Sequence, residues 1–259
     1  MMDKDKTKYL ELIQETRIST LLEGAGKKDY EASGVCLKDG YLHVIFDDNS
    51  RLLRLRAEDW DPAGEASILL ELKGTGTGYE DITYLPSTRR WYCLIEAAET
   101  KSGVSLPRVD EFDESFAFIK GHWLNFPLKA GNKGFEGLST LHYAGNNYLL
   151  GLCEGNDCKS GKKGAQPGNG RIQVFKWAAE HWVHAGTIIL PEAVRFVDYS
   201  SLDVRNGNLT VISQASSAMW VGHLRAQPAS LDDMFEDDGL LYLFPRDEKG
   251  RIMYCNMEG

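Results

Sequence analysis

Glutamate and serine side chains occupy five positions with the same local sequence pattern, and their chemistry suits a hard cation. These residues are Ser33, Glu80, Glu136, Ser200 and Glu258. Carboxylates brought within several ångströms of one another repel unless they are protonated, hydrated or neutralised by a cation. An all-oxygen set suits Ca²⁺ or Mg²⁺ better than zinc. The sequence therefore predicts a divalent-cation site, with Ca²⁺ or Mg²⁺ as cofactor. The alternatives are a polar lining that only keeps a channel hydrated and a catalytic site without a metal ion.

A second set of polar residues follows four strongly apolar segments. These residues are Asp47, Glu96, Glu154 and Gln214, after the segments LHVIF, WYCLI, YLLGLC and LTVIS. A continuous apolar run indicates a strand that is buried on both faces. We therefore predict that the four side chains form an outer polar ring that binds the substrate.

The elements that must position both sets belong to an internal repeat. Each unit opens with Glu or Ser, continues into a short alternating strand, and then turns at residues 38–40, 86–88, 144–147 or 205–208. The turn residues tolerate the dihedral angles of tight hairpins. Two further strands complete each unit, and they are predicted at 51–57, 66–72, 115–121, 122–128, 171–177, 182–190, 218–224 and 240–245.

Four-stranded units that recur roughly every 45 to 65 residues are typical of propeller blades. The sequence predicts an all-β fold, a five-bladed β-propeller with four-stranded antiparallel blades whose last blade is incomplete or truncated. Residues 1–259 form one domain in this prediction, with blades opening near 33, 80, 136, 200 and 258. Residues 1–31 are an N-terminal segment that contains a short helix or a ring-closing strand.

The blade openings resemble those of two groups of known propellers. The segments GYEDITYL, NKGFEGLSTL, DYSSLDV and YCNMEG are similar to openings in propellers related to the esterase-like domain of phytases, and in calcium-activated nucleotidases (apyrases). In the nucleotidases, Glu and Ser at these openings surround a Ca²⁺ in the central channel. The resemblance therefore implies that Glu80, Glu136, Ser200 and Glu258 surround such an ion, with Ser33 at the fifth position.

The net charge of the chain excludes one class of binding partner. The chain carries 29 basic and 38 acidic residues, a formal charge of −9, and no basic block offsets this charge. A phosphate backbone is therefore an unsuitable partner, and no nucleic acid is expected. The N-terminal residues lack the apolar run of a signal peptide or membrane span, which predicts a cytoplasmic protein without membrane association.

The glycine-rich segment at residues 74–78 and the cysteines are interpreted as structural. Gly74–Gly78 contains three glycines but lacks the spacing of a phosphate-binding loop, and it is interpreted as a blade connector. The five cysteines imply no disulfide framework, and Cys36, Cys93 and Cys153 are expected to be buried free thiols, as in reducing compartments. Cys153 and Cys158 have no second pair that would complete a zinc site.

Two functions follow from the sequence. The first is a metal-dependent hydrolase, similar to phosphoesterases and nucleotidases, that acts on an ester bond of a small anionic substrate. The second is a non-catalytic propeller that binds a protein or another ligand. Fold does not decide between them, because propellers serve in both roles.

Overall fold

The computed structural model describes residues 7–22, 30–58, 68–76, 78–128 and 134–252. These residues form four sheets, each with four consecutive strands in meander order, and one of the sheets has a fifth strand at its edge. The strands of the first blade are β2 (Ala32–Lys38), β3 (Tyr41–Phe46), β4 (Arg51–Arg56) and β5 (Ile68–Glu71). Those of the second are β6 (Ile82–Leu85), β7 (Arg90–Glu99), β8 (Ser105–Phe112) and β9 (Phe118–Trp123). The third contains β10 (Phe135–Tyr143), β11 (Asn146–Cys153), β12 (Arg171–Ala178) and β13 (His181–Ile189). The fourth contains β14 (Ser201–Arg205), β15 (Asn208–Ser213), β16 (Ala218–His223) and β17 (Leu240–Leu243).

The predicted β-propeller with four-stranded antiparallel blades is confirmed, but the described residues form four blades and not five. The strand β1 (Thr7–Tyr9) pairs in parallel with β17 at the outer edge of the fourth blade. This described part of the N-terminal segment therefore extends an existing sheet. The predicted fifth opening at Glu258 lies outside the described residues.

The predicted hairpin turns are present between the first and second strands. Asp39 and Gly40, Ala144 and Gly145, and Asn206 and Gly207 all have positive φ. Consecutive positive φ values are typical of the tight hairpin turns that match the twist of a β-sheet.

The second blade differs from the predicted strand pattern. Its third strand is β8, a segment that the sequence analysis left unassigned, and β9 covers only part of the two predicted strands at 115–121 and 122–128. The β8 sequence contains Pro107 and three charged residues, which weaken a strand pattern. Tertiary pairing with β7 and β9 overrides this weak local preference.

Apolar layers between successive blades form the core. Three buried clusters fill the junctions of blades 1 and 2, 2 and 3, and 3 and 4. A fourth cluster covers the other side of blade 1, where Leu21 of the short helix α1 (Ile18–Leu21) and the half-buried Tyr30 pack on β3 and β4. Among the parts of the chain that the structure describes, no helix has the length and apolar character that a membrane crossing requires.

Hydrogen bonds connect the segments that begin neighbouring blades. The Ser33 hydroxyl donates to the Tyr79 carbonyl. The Leu138 N–H donates to the Asp81 carboxylate at 2.7 Å, and the Val204 N–H donates to the Ser139 hydroxyl at 3.0 Å. Each bond joins one blade to the next, so these contacts fix the spacing of the first strands.

Candidate metal centre

Glu136 lies at a β-bulge at the start of the third blade. Phe135 pairs with Cys153 and Gly137 pairs with Leu152, so the register of the two strands shifts at Glu136. The first blade has the same irregularity at Ser33, between Ala32 and Gly34. Because a bulge redirects a side chain, the repeated Glu/Ser position in the sequence corresponds to a structural feature that can aim a polar group.

Three carboxylates meet where blades 2 and 3 adjoin. Ligand oxygens of Glu96, Glu136 and Glu154 all lie within 4.8 Å of one another, and all three residues are half-buried. Glu96 lies in another bulge, between Ile95 and Ala98 of β7. Glu154 directly follows the last residue of β11. We refer to these three residues as the carboxylate cluster.

The backbone of Gly134 connects two members of the cluster. Its N–H donates to Glu96 Oε1 at 2.6 Å, and its carbonyl accepts a hydrogen bond from the Glu154 N–H at 3.1 Å. A Cβ on Gly134 would lie 2.4 Å from Glu96 Cγ, so only glycine permits this close approach. Gly134 thus contacts the side chain of Glu96 in blade 2 and the backbone of Glu154 in blade 3.

The cluster has the donor set of a hard-cation site. Calcium binds carboxylate oxygens at about 2.3–2.6 Å, so two oxygens on one ion are separated by up to about 5 Å. The separations in the cluster fall within this limit. Three like charges at this spacing repel unless a cation or protons intervene.

The other described residues of the predicted cation set make hydrogen bonds of their own. The Ser33 hydroxyl is used by the Tyr79 carbonyl, and the Glu80 and Ser200 N–H groups donate to the carbonyls of Leu94 and Ile212. Among the described residues, the close carboxylate group does not include Glu80. Glu258 lies outside the described part of the chain.

Two of the four residues of the predicted substrate ring belong to the cluster. The structure thus brings Glu136 of the cation set together with Glu96 and Glu154 of the substrate set. Asp47 follows β3 and is half-buried, and its Oδ1 atom has no hydrogen-bond partner among the described residues. The Gln214 carbonyl accepts the Ser217 N–H in a turn after β15.

Asp81 is a buried acid that the sequence analysis missed. Its Oδ1 accepts the Ile82 N–H at 2.8 Å and its Oδ2 accepts the Leu138 N–H at 2.7 Å. Burial raises the pKa of this carboxyl well above its usual value. Blades 1 and 3 have Gly34 and Gly137 at the equivalent position. An aspartate where these units have glycine is therefore the sequence signal that could have identified Asp81.

A disulfide joins Cys153 to Cys158, which corrects the prediction that Cys153 is a free thiol. A short 3-10 helix (Asn156–Cys158) follows β11, and Asp157 and Cys158 both have positive φ. This backbone reversal returns the chain to the end of β11, which the spacing of the cysteines alone did not indicate. Disulfides are typical of oxidising compartments. The cysteines therefore do not support a reducing compartment for this protein. The cytoplasmic location remains a prediction.

Loss of this disulfide is expected to lower the free energy of unfolding by about 2 kcal/mol, because it closes a short loop in the unfolded chain. The melting temperature should fall when a dithiol reductant is added to the wild-type protein. The double variant Cys153→Ser/Cys158→Ser should melt at the reduced protein's temperature and show no response to the reductant. An equal response in both proteins would contradict the pairing.

No family model matches this sequence, and no curated protein is significantly similar to it. No relationship to phytases or apyrases is therefore shown.

Solved structures with several different activities are similar to parts of this chain. An α-L-arabinofuranosidase from Lactobacillus brevis is 13% identical, with 80% of this chain and 73% of that chain covered and a TM-score of 0.47. Glutaminyl cyclase from Myxococcus xanthus is 11% identical, with 75% and 66% covered and a TM-score of 0.46. The GH43_1 enzyme from Xanthomonas citri is 14% identical, with 78% and 71% covered and a TM-score of 0.45. Across such matches the present chain spans between 45% and 76% of the other chain. Similarity at this level assigns no activity.

Proposed function

We propose that this β-propeller binds a hard divalent cation, Ca²⁺ or Mg²⁺, through Glu96, Glu136 and Glu154, and hydrolyses an ester bond of a small anionic substrate there. The observation that carries the proposal is the convergence of three carboxylates from two blades within 4.8 Å. The resemblance of the blade openings to calcium-activated nucleotidases and phytase-related propellers favours a phosphate ester as the substrate class.

The protein's contribution is to hold the three carboxylates in place. Glu136 is aimed by the bulge in β10, and Glu96 is held by the Gly134 N–H. Three carboxylates leave further coordination positions of a six- to eight-coordinate ion open to water and substrate. A bound ion would polarise the ester oxygen and lower the pKa of bound water.

Cation binding is expected to stabilise the folded protein. At an ion concentration ten times the dissociation constant, the gain is about 1.4 kcal/mol, or a melting temperature about 4 °C higher. Thermal melts should be recorded in EDTA, in Ca²⁺ and in Mg²⁺. Glu136→Gln should abolish the shift, whereas Glu99→Gln, an exposed control on the same strand as Glu96, should retain it.

Turnover separates a catalytic ion from a structural one. A panel of phosphate and carboxylate esters should show cation-dependent hydrolysis by the wild type and the Glu99→Gln control, and none by Glu136→Gln. A melting temperature that is the same in EDTA, Ca²⁺ and Mg²⁺ would contradict the cation site itself.

A non-catalytic role in protein binding is the second candidate, and one feature favours it. The N-terminal segment exposes Tyr9, Leu12 and Ile13, and Ile13 is 87% exposed. Exposed apolar side chains that are close in sequence are more typical of a contact surface than of a solvated one. Absence of both cation-dependent stability and turnover would favour this role.

A further inference from the structure

A polar cavity of about 570 Å³ lies between blades 1 and 2. Its volume falls in the range of small-molecule sites. The lining includes the connector residues Gly74, Thr75 and Gly76, residues Ile95 and Ala97 of β7, and Arg108 of β8. The glycine-containing connector, which lacks the spacing of a phosphate-binding loop, is thus part of a cavity wall.

Arg108 supplies a positive charge to this wall. Its guanidinium carbon lies 5.2 Å from the centre of the Trp123 ring, an arrangement that orients the planar group. A Cβ on Gly121 would lie 2.0 Å from Arg108 Nη2, so glycine leaves room for the guanidinium. The Arg108 side chain is 21% exposed, and its buried Nε has no hydrogen-bond partner among the described residues.

The acid beside Arg108 is satisfied by other donors. Asp110 is fully buried and accepts hydrogen bonds from the Thr75 N–H at 2.7 Å, the Thr75 hydroxyl at 2.6 Å and the Tyr79 hydroxyl at 2.9 Å. Its closest contact with Arg108 Nε is 3.5 Å, longer than an ordinary charge-assisted hydrogen bond. Asp110 therefore anchors the connector through Thr75 and Tyr79, and it balances the charge of Arg108 without occupying its Nε–H.

The cavity and the carboxylate cluster share strand β7. Ile95 and Ala97 line the cavity and flank Glu96 in sequence, and Ile95 is the cross-strand partner of Arg108. Residues that are adjacent on one strand, at a bulge, can direct side chains to different sides of the blade. Arg108 and Glu96 are thus placed by the same segment of β7.

We propose that the cavity binds the oxyanion of a small ligand, a phosphate or a carboxylate group, through the Arg108 guanidinium. Arginine is suited to planar, bidentate recognition of such groups. A cationic ligand would be repelled by Arg108. Oxyanion binding in this cavity needs no metal ion and does not depend on the proposed function.

The test is calorimetric titration of the whole protein with inorganic phosphate and, separately, with acetate, in EDTA and at constant ionic strength. We expect saturable binding of at least one anion, weakened at least tenfold by Arg108→Gln. Arg54→Gln is the matched control, because Arg54 also has an unpartnered buried Nε and also stacks on an aromatic ring, that of Tyr41. The anion affinity of Arg54→Gln should equal that of the wild type.

Arg108→Lys covers the case in which Arg108→Gln fails to fold. It keeps a positive charge beside Asp110 but loses the planar donor pair, so anion affinity should fall several-fold while the melting temperature changes little. No saturable binding to the wild type, or equal affinity in wild type and Arg108 variants, would overturn the proposal. Glu136→Gln should bind the anion in EDTA as the wild type does, so failure of the cation site and failure of the anion site are distinguishable.

Discussion

Replacement of Asp81 with alanine is expected to lower the free energy of unfolding by about 3 kcal/mol, because two buried N–H groups lose their acceptor. These groups belong to Ile82, the next residue along the chain, and to Leu138 in the next blade. Asp81→Asn should have a smaller effect, since an amide offers one acceptor where the carboxyl offers two. Chemical denaturation of the three proteins measures the difference.

The pH dependence of stability gives an independent measure of the same residue. Because burial raises the pKa of Asp81, the folded protein holds this proton more tightly than the unfolded chain does. The resulting stabilisation is complete below the ordinary carboxyl range, about pH 4, and is lost as pH rises toward the raised pKa of the folded state. This fall in stability should be smaller in Asp81→Asn than in the wild type, and it should not vanish because burial also raises the pKa of Asp203.

An exposed aspartate serves as the control. Asp232 lies in the 3-10 helix Leu231–Asp233, and Asp232→Ala should leave both the stability and its pH profile close to those of the wild type. If Asp81→Ala and Asp232→Ala lost equal stability, the hydrogen bonds of Asp81 would not hold blades 2 and 3 together.

Replacement of Gly137 with alanine is expected to lower the free energy of unfolding by about 3 kcal/mol, through overpacking of the first strands of blades 3 and 4. A Cβ at this position would lie 2.8 Å from both Cβ and N of Leu202 and 3.1 Å from the Ser201 carbonyl carbon. Two of these three atoms belong to the backbone, so the strands themselves must separate. Glu136 directly precedes Gly137, so the cation-dependent shift in melting temperature should also decrease.

Gly76→Ala distinguishes this effect from a general intolerance of side chains at glycine. Its Cβ would lie 2.6 Å from Ile95 Cδ1, the end of a flexible side chain that can move aside. Gly76→Ala should therefore lose clearly less stability than Gly137→Ala. Equal losses would contradict the close approach of the two blades.

The sequence alone predicted some of the site residues but not which of them meet. Glu96, Glu136 and Glu154 were all selected from the repeat, but in two separate sets, and their meeting required the bulges in β7 and β10. Arg108 was not selected, because β8 contains a proline and several charges and was not predicted as a strand. Its placement beside Trp123 depends on pairing with β9, which no local pattern encodes.

The amino-acid sequence by itself determined the repeat, the hairpin turns and the burial of the second strands, because side-chain periodicity and turn dihedrals are properties of neighbouring residues. Tertiary structure decided the number of blades that the described residues form, the Cys153–Cys158 pairing and the identity of the three converging glutamates. These features depend on where packed sheets bring distant segments. A shift of one residue at a bulge, or of a few ångströms between blades, changes which side chains meet while leaving the local sequence pattern unchanged.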